Sequence, residues 1–224
     1  MIPPVIPADD PDAPARLAAA WRAGRLTAFP TETVYGVGAA ADFPDARARL
    51  AALKGSDPRR PFQRLMADFA AARAATGPWS DLEDRLARRA WPGPLTLILP
   101  ARATAAGDDG GGTIGIRVPD YPPLLAALAL LGGGGVWASS ANPAKAPPWT
   151  DARALAEWGA GALALVVARP AGEAAPGPAS TVARITAGRI EIARAGRWTA
   201  RDLERLAGDA PEEEGLQPLP RPVE

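Results

Sequence analysis

Residues 25–38 read RLTAFPTETVYGVG: a short apolar run closed by a proline, then hydroxyls, a carboxylate and two glycines. The run Arg25–Phe29 is strand-like. It follows residues 12–23, DAPARLAAAWRA, whose apolar spacing, acid-proline entry and Gly24 stop predict a helix. Pro30 denies the strand a further ladder donor, which leaves Thr31, Glu32 and Thr33 at the strand mouth. Hydroxyls clustered there can bind a small polar ligand, although a Thr-rich strand beginning after a turn has the same letters. GVGAAA at 36–41 has the outline of a dinucleotide fingerprint, but it follows PTETVY and opens a poor helix, which disfavours a Rossmann reading.

Outward from this stretch the same helix-then-strand alternation recurs. Helices are predicted near 43–53 (stopped by Gly55), 68–75, 81–90, 121–131, 151–158 and 199–207. Strands are predicted near 62–66, 95–99, 113–118, 135–139, 163–168, 179–185 and 189–194. Such interleaving argues for a layered α/β domain around one sheet, and two hairpin-length spacings near the C-terminus favour a mixed sheet. Residues 1–207 are expected to form a single domain, large enough to bury about 70% of its unfolded surface. The segment 101–112, ARATAAGDDGGG, reads as a flexible loop, and the acidic, proline-rich tail 208–224 as disordered.

Composition narrows the chemistry. The 25 cationic and 25 anionic residues cancel, so no global basic field draws the chain to nucleic acid or an anionic membrane, and any anion site must be local. With no cysteine or histidine, thiolate nucleophiles, Cys/His zinc sites and imidazole catalysis are excluded. The N-terminal MIPPVIPADDPD lacks a signal peptide's basic flank and apolar core, and no apolar run approaches a membrane span, so a cytoplasmic location is expected. A Walker-type phosphate loop and a G-x-S-x-G nucleophile elbow are both absent.

Several side chains stand out. In TIGIRV, period-2 spacing puts Thr113, Gly115 and Arg117 on one strand face, and an arginine there needs an anion or a carboxylate partner. WASSAN projects Ser140 and Asn142 from a strand terminus, where open α/β sheets commonly bind ligands, and Arg194 ends the last strand in the same manner. Lys54 lies where a helix stops, a position equally explained by complementing the helix dipole.

FPTETVYGVGA, LKG…RPF, WPGPLTLIL, TIGIRVPDYP, SSAN, STV and IARAG occur in the same order as in the YrdC-like family, and on these blocks the chain resembles that family over roughly residues 12–207. The resemblance implies a three-layer α/β domain with a twisted mixed β-sheet and a concave ligand site. It also implies the activity of the family's best-known members, the threonylcarbamoyl-AMP synthases of tRNA modification. These take L-threonine, bicarbonate and ATP, with a magnesium ion, and hand their product to transfer proteins and tRNA. By matching position, Thr31 and Thr33 would lie at the amino-acid pocket. Thr113, Arg117, Ser140, Asn142, Ser180 and Arg194 would line the amino-acid and nucleotide sites, and Lys54 would face the phosphates. No metal ligand among the side chains is implied.

One departure matters. The family's Lys-x-Arg-Pro is KGSDP here, so Ser56 and Asp57 replace a cation and a proline, and Arg59, Arg60 or Arg64 would have to restore the charge. The departure implies a rival reading, a YrdC-like paralogue with altered or lost catalysis that binds a nucleotide or RNA. Carbamoyl transfer to another acceptor is a third.

Overall fold

The computed structural model describes residues 1–57, 59–102, 112–173 and 177–208. The first half contains β1 (Val5–Pro7), α1 (Ala13–Arg22), β2 (Leu26–Phe29), β3 (Gly36–Ala40), α2 (Ala46–Lys54), β4 (Gln63–Leu65), α3 (Phe69–Ala75), α4 (Asp81–Ala90) and β5 (Leu95–Pro100). The second contains β6 (Thr113–Arg117), α5 (Pro122–Leu131), β7 (Val136–Ser140), α6 (Ala152–Trp158), β8 (Leu163–Ala168), β9 (Thr181–Thr186), β10 (Arg189–Arg194) and α7 (Ala200–Ala207). The strands form one mixed sheet in the order β1-β8-β2-β3-β7-β4-β6-β5-β9-β10. Pairs β1–β8, β2–β8, β4–β6 and β5–β9 are parallel, and the remaining neighbours are antiparallel.

Side-chain alternation divides the core into two layers. Trp137 faces a cluster built on Leu50, Leu86, Leu155 and Leu203, which come from α2, α4, α6 and α7. Its neighbours Val136 and Ala138 face the other cluster, with Leu17 and Trp21 of α1 and Leu124 and Leu128 of α5. Helices on both sides of the sheet give the layered domain that the alternation predicts and the three layers that the family resemblance implies. Helix α1 lies against α5 and over β2, β3 and β8. Farther along the same face, on β4, β6, β5 and β9, side chains of that parity border a cavity instead. The concave site is therefore the part of this face that the α1–α5 layer leaves uncovered.

Two strands escape the sequence reading. The three-residue β1 sits at the sheet edge among prolines, too short for a periodicity signal. The other, β3, is GVGAA, buried throughout and without alternation. Its glycines answer the opening puzzle. Gly38 pairs with Thr27 on one side and Ala138 on the other, and a Cβ on it would lie 2.4 Å from the Trp137 carbonyl oxygen and 2.8 Å from Val136 Cγ1. The glycines let β3 pass close to its neighbours and make no dinucleotide loop. Gly38→Ala is expected to lower the unfolding free energy by about 3 kcal/mol, the upper end for overpacking; a urea midpoint equal to that of the parent chain would show that the strands separate freely. Most of the loop 101–112 and all but Gly208 of the tail lie outside the described residues.

Candidate functional site

Five strands and one flanking strand end build the cavity, whose volume is about 240 Å³. Period-2 spacing brings Thr113, Gly115 and Arg117 of β6 beside Thr96 and Ile98 of β5 and Gln63 of β4, with Ser140, Ser180 and Arg194 around them. Gly115 lies in register with Gln63 on one side and Ile98 on the other, and its missing side chain keeps this floor low. The polar wall is hydrogen-bonded within itself. Thr96 Oγ1 donates to Gln63 Oε1 at 2.7 Å and lies 3.1 Å from Ser180 Oγ, and Arg194 Nη2 donates to Ser180 Oγ at 3.0 Å and to its carbonyl at 2.8 Å.

Arg117 is 2% exposed, and its partner is a carboxylate from the opening stretch. Its Nη2 donates to Glu32 Oε1 at 2.6 Å and to Thr33 Oγ1 at 3.1 Å, while Nε donates to the Gly93 carbonyl at 3.1 Å. Thr31 donates its hydroxyl hydrogen to Val34 O at 2.7 Å and accepts from the N–H groups of Thr33 and Val34, each at 3.2 Å. The 2.9 Å contact between the two threonine hydroxyls therefore runs from Thr33 to Thr31. The Thr31 hydroxyl closes a side-chain-to-backbone turn, and the Thr33 hydroxyl ties that turn to Arg117 beside Glu32. Thr31 and Arg117 border a smaller recess of about 20 Å³ beside the main cavity, and Thr33 is buried behind it. Glu32 Oε2 is buried with no protein partner.

The cations expected at the phosphates are placed differently from one another. Lys54, in the last turn of α2 before the left-handed Gly55, is 3% exposed and borders neither cavity. Its Nζ donates to Ser140 O at 2.5 Å, Asn142 O at 2.8 Å and Asn142 Oδ1 at 3.4 Å. Asn142 in turn donates from Nδ2 to the carbonyls of Pro143 and Ala146 at 2.7 and 2.8 Å. Both residues thus shape the loop behind Ser140. Arg59 is 90% exposed and held by Asp57, with Nη2 to Oδ2 at 2.9 Å. Its neighbour Arg60 borders the main cavity instead, and Arg64 is buried on the Gly134 carbonyl, 5.6 Å over Trp137. Gln63 and Thr96 were not singled out in the sequence, although the spacing that marks Arg117 marks them on their own strands.

Burial, with the Arg60 charge second, pushes the Lys54 ammonium down to about 8 from 10.5. Its folded value lies below the unfolded one, so between those pH values the unfolded chain binds more protons and the penalty for burying this charge fades as pH rises. The unfolding free energy of the parent chain relative to Lys54→Met is expected to increase from about pH 8 to about pH 10.5. A pH-independent difference would mean that the ammonium keeps its ordinary acidity.

Among the described residues no group of three or more Asp or Glu side chains is placed to hold a metal ion, and no helix is long and apolar enough to cross a membrane. A buried arginine, two further arginines and a set of hydroxyls line one sheet-face cavity in this α/β protein. The family model described as Telomere recombination, Sua5/YciO/YrdC, matches residues 19–196, and the chain belongs to this family. It is 35% identical over 205 residues to a threonylcarbamoyl-AMP synthase of Bacillus subtilis (strain 168), which covers 90% of this chain and 58% of that protein. A putative threonylcarbamoyl-AMP synthase of Mycobacterium leprae (strain TN) is 32% identical over 210 residues, covering 90% of this chain and 93% of that one. The crystal structure of P. abyssi Sua5 complexed with L-threonine superposes with a TM-score of 0.81 at 28% identity, over 92% of this chain and 61% of that one. E. coli YciO shares the fold, with a TM-score of 0.78 at 19% identity, over 89% of this chain and 97% of that one. This chain therefore spans under two thirds of the Bacillus and Pyrococcus proteins.

Proposed function

We propose that this chain is an L-threonylcarbamoyladenylate synthase, a nucleotidyltransferase that joins L-threonine, bicarbonate and ATP into threonylcarbamoyl-AMP for tRNA modification. The observation that carries the reading is the convergence of Arg60, Arg117 and Arg194 on one hydroxyl-floored cavity, in a chain without histidine or cysteine. The names of its relatives and the threonine bound in the Sua5 neighbour supply the substrate class. The threonine amine and bicarbonate form a carbamate with loss of water. A carbamate oxygen then bonds to the α-phosphorus as the bond to pyrophosphate breaks. Such a reaction is limited by positioning and by negative charge gathering on phosphate oxygens, both of which fixed guanidiniums serve.

In this reading Arg60 and Arg194 face the phosphates, and Thr113, Ser140 and Ser180 border the nucleotide. Arg117 and the Thr31–Val34 turn form the amino-acid end, where the free Glu32 Oε2 is an acceptor for the threonine amine. Lys54 and Asn142 act through the loop that carries Ser140. In this reading magnesium would come with the nucleotide's own phosphates, since no carboxylate cluster is placed to hold it among the described residues, and no step is assigned to a protein-held ion. Such a synthase would work in the cytoplasm and pass its product to transfer proteins and tRNA.

The rival, a paralogue with altered or lost catalysis that binds a nucleotide or RNA, draws on Ser56, whose Oγ is buried without a partner, and on Asp57. Purified protein incubated with ATP, bicarbonate, magnesium and L-threonine separates the two. Threonine-dependent pyrophosphate release with formation of the adenylate is expected; ATP binding without either product selects the rival.

A further inference from the structure

Strand β8 ends at Ala168, and the next residues reach across to the turn that carries Glu32. The Arg169 backbone N–H donates to Tyr35 Oη at 2.8 Å. Its guanidinium donates to the Thr31 carbonyl and pairs with Glu173, whose other oxygen accepts from Tyr121 Oη at 3.0 Å. The same cation lies 5.6 Å from the Tyr35 ring centre and 5.9 Å from that of Tyr121. The Arg169 side chain is 10% exposed, so its bond to the Thr31 carbonyl forms largely out of water, where it is directional and strong, while the more exposed Glu173 braces it from the solvent side. Burial, reinforced by Glu173, pushes the Tyr121 phenol pKa up from its ordinary value, which keeps it protonated and a donor to Glu173.

The chain Tyr121–Glu173–Arg169 ends on the backbone of Thr31, the residue whose hydroxyl organises the turn and through it the Glu32–Arg117 pair. Neither Arg169 nor Glu173 borders the main cavity or the recess beside it. A purely structural tie between these loops could be made by apolar contact alone; a buried guanidinium aimed at one carbonyl fixes a position as well. We propose that Arg169, braced by Glu173 and Tyr121, is a positioning residue that fixes the Thr31–Val34 turn and so the amino-acid end of the cavity. This rests on the synthase reading for its ligand, L-threonine, but the fixing of the turn is a property of the chain itself.

The test uses the full chain with Arg169→Met, which keeps the aliphatic volume and the backbone link to Tyr35, alongside Arg169→Lys and Glu173→Gln. Amide exchange is read at Thr33 and Val34, whose N–H groups donate to Thr31 Oγ1. Titrations with L-threonine and with a non-hydrolysable ATP analogue accompany it. Arg169→Met is expected to raise exchange in the turn at least about tenfold and weaken threonine about tenfold, with ATP-analogue affinity held within about twofold. Arg169→Lys, which keeps one cationic donor, should recover part of both losses. Leu203→Ala, which opens the core under α7 on the opposite side of the sheet, is the control for general loosening. Unchanged exchange in the turn overturns the inference whatever binds. Equal weakening of both ligands, matched by Leu203→Ala at similar stability, overturns it too. Raised exchange with a parent chain that binds no threonine supports the positioning role and removes the synthase reading.

Discussion

Arg117→Ala is expected to lower the unfolding free energy by about 3 kcal/mol, the lower end for a broken buried pair, because it leaves the part-buried Glu32 carboxylate without its cation. The loss should exceed that of Arg194→Ala, whose guanidinium is bonded to a neutral serine. Adding Glu32→Gln to Arg117→Ala removes the stranded charge, so the double variant should recover more than half of the stability, measured as urea midpoints at constant slope. Threonine binding should not recover, since both ends of the pair are then missing. A single-variant loss below about 1 kcal/mol would place the pair in the range of exposed ion pairs and remove it as the organiser of the turn.

That pair also marks how far the sequence could be read. Period-2 spacing put Arg117 on an inner strand face and required an anion or a carboxylate partner, but the carboxylate that meets it lies 85 residues earlier in a turn whose aim depends on tertiary packing. The alternation of helices and strands was legible because their apolar periods differ. In β3, buried on both faces, GVGAA offers no period at all, and its glycines mark close strand approach in letters that also suit a loop. Thr113, Arg117, Ser140, Ser180 and Arg194 all border the cavity, since strand parity and strand ends carry across the sheet. Lys54 shows the limit. A lysine at a helix C-terminus reads as dipole compensation, and nothing local tells that its ammonium is taken by carbonyl oxygens 86 and 88 residues later. Arg169 carried no signal, because its role lies in which loops the sheet order brings together.

The choice between Arg59 and Arg60 was equally hidden, and it yields the last expected result. Both follow the altered KGSDP segment, and an arginine beside the cavity is needed there if ATP is to be held against the carboxylate at position 57. Asp57 takes the exposed Arg59 through its backbone N–H at 2.8 Å and its guanidinium, so the acid is neutralised locally and that arginine is turned from the site. Arg60 remains at the cavity, near enough that its charge helps to push down the pKa of both Lys54 and Arg194, although burial is the larger cause in each. Like charges gathered this way favour an anion between them. Arg60→Ala is therefore expected to weaken ATP about tenfold to a hundredfold, the loss of one charge-assisted hydrogen bond, with little change in melting temperature. Arg59→Ala should stay within about twofold. In the Arg60→Ala background, Ser56→Arg with Asp57→Pro restores a cation and removes the acid, so ATP affinity should return toward that of the parent chain. Equal losses from Arg59→Ala and Arg60→Ala would show that Asp57 does not sequester its neighbour in solution. Undiminished binding without Arg60 would leave Arg194 as the principal phosphate cation of the cavity.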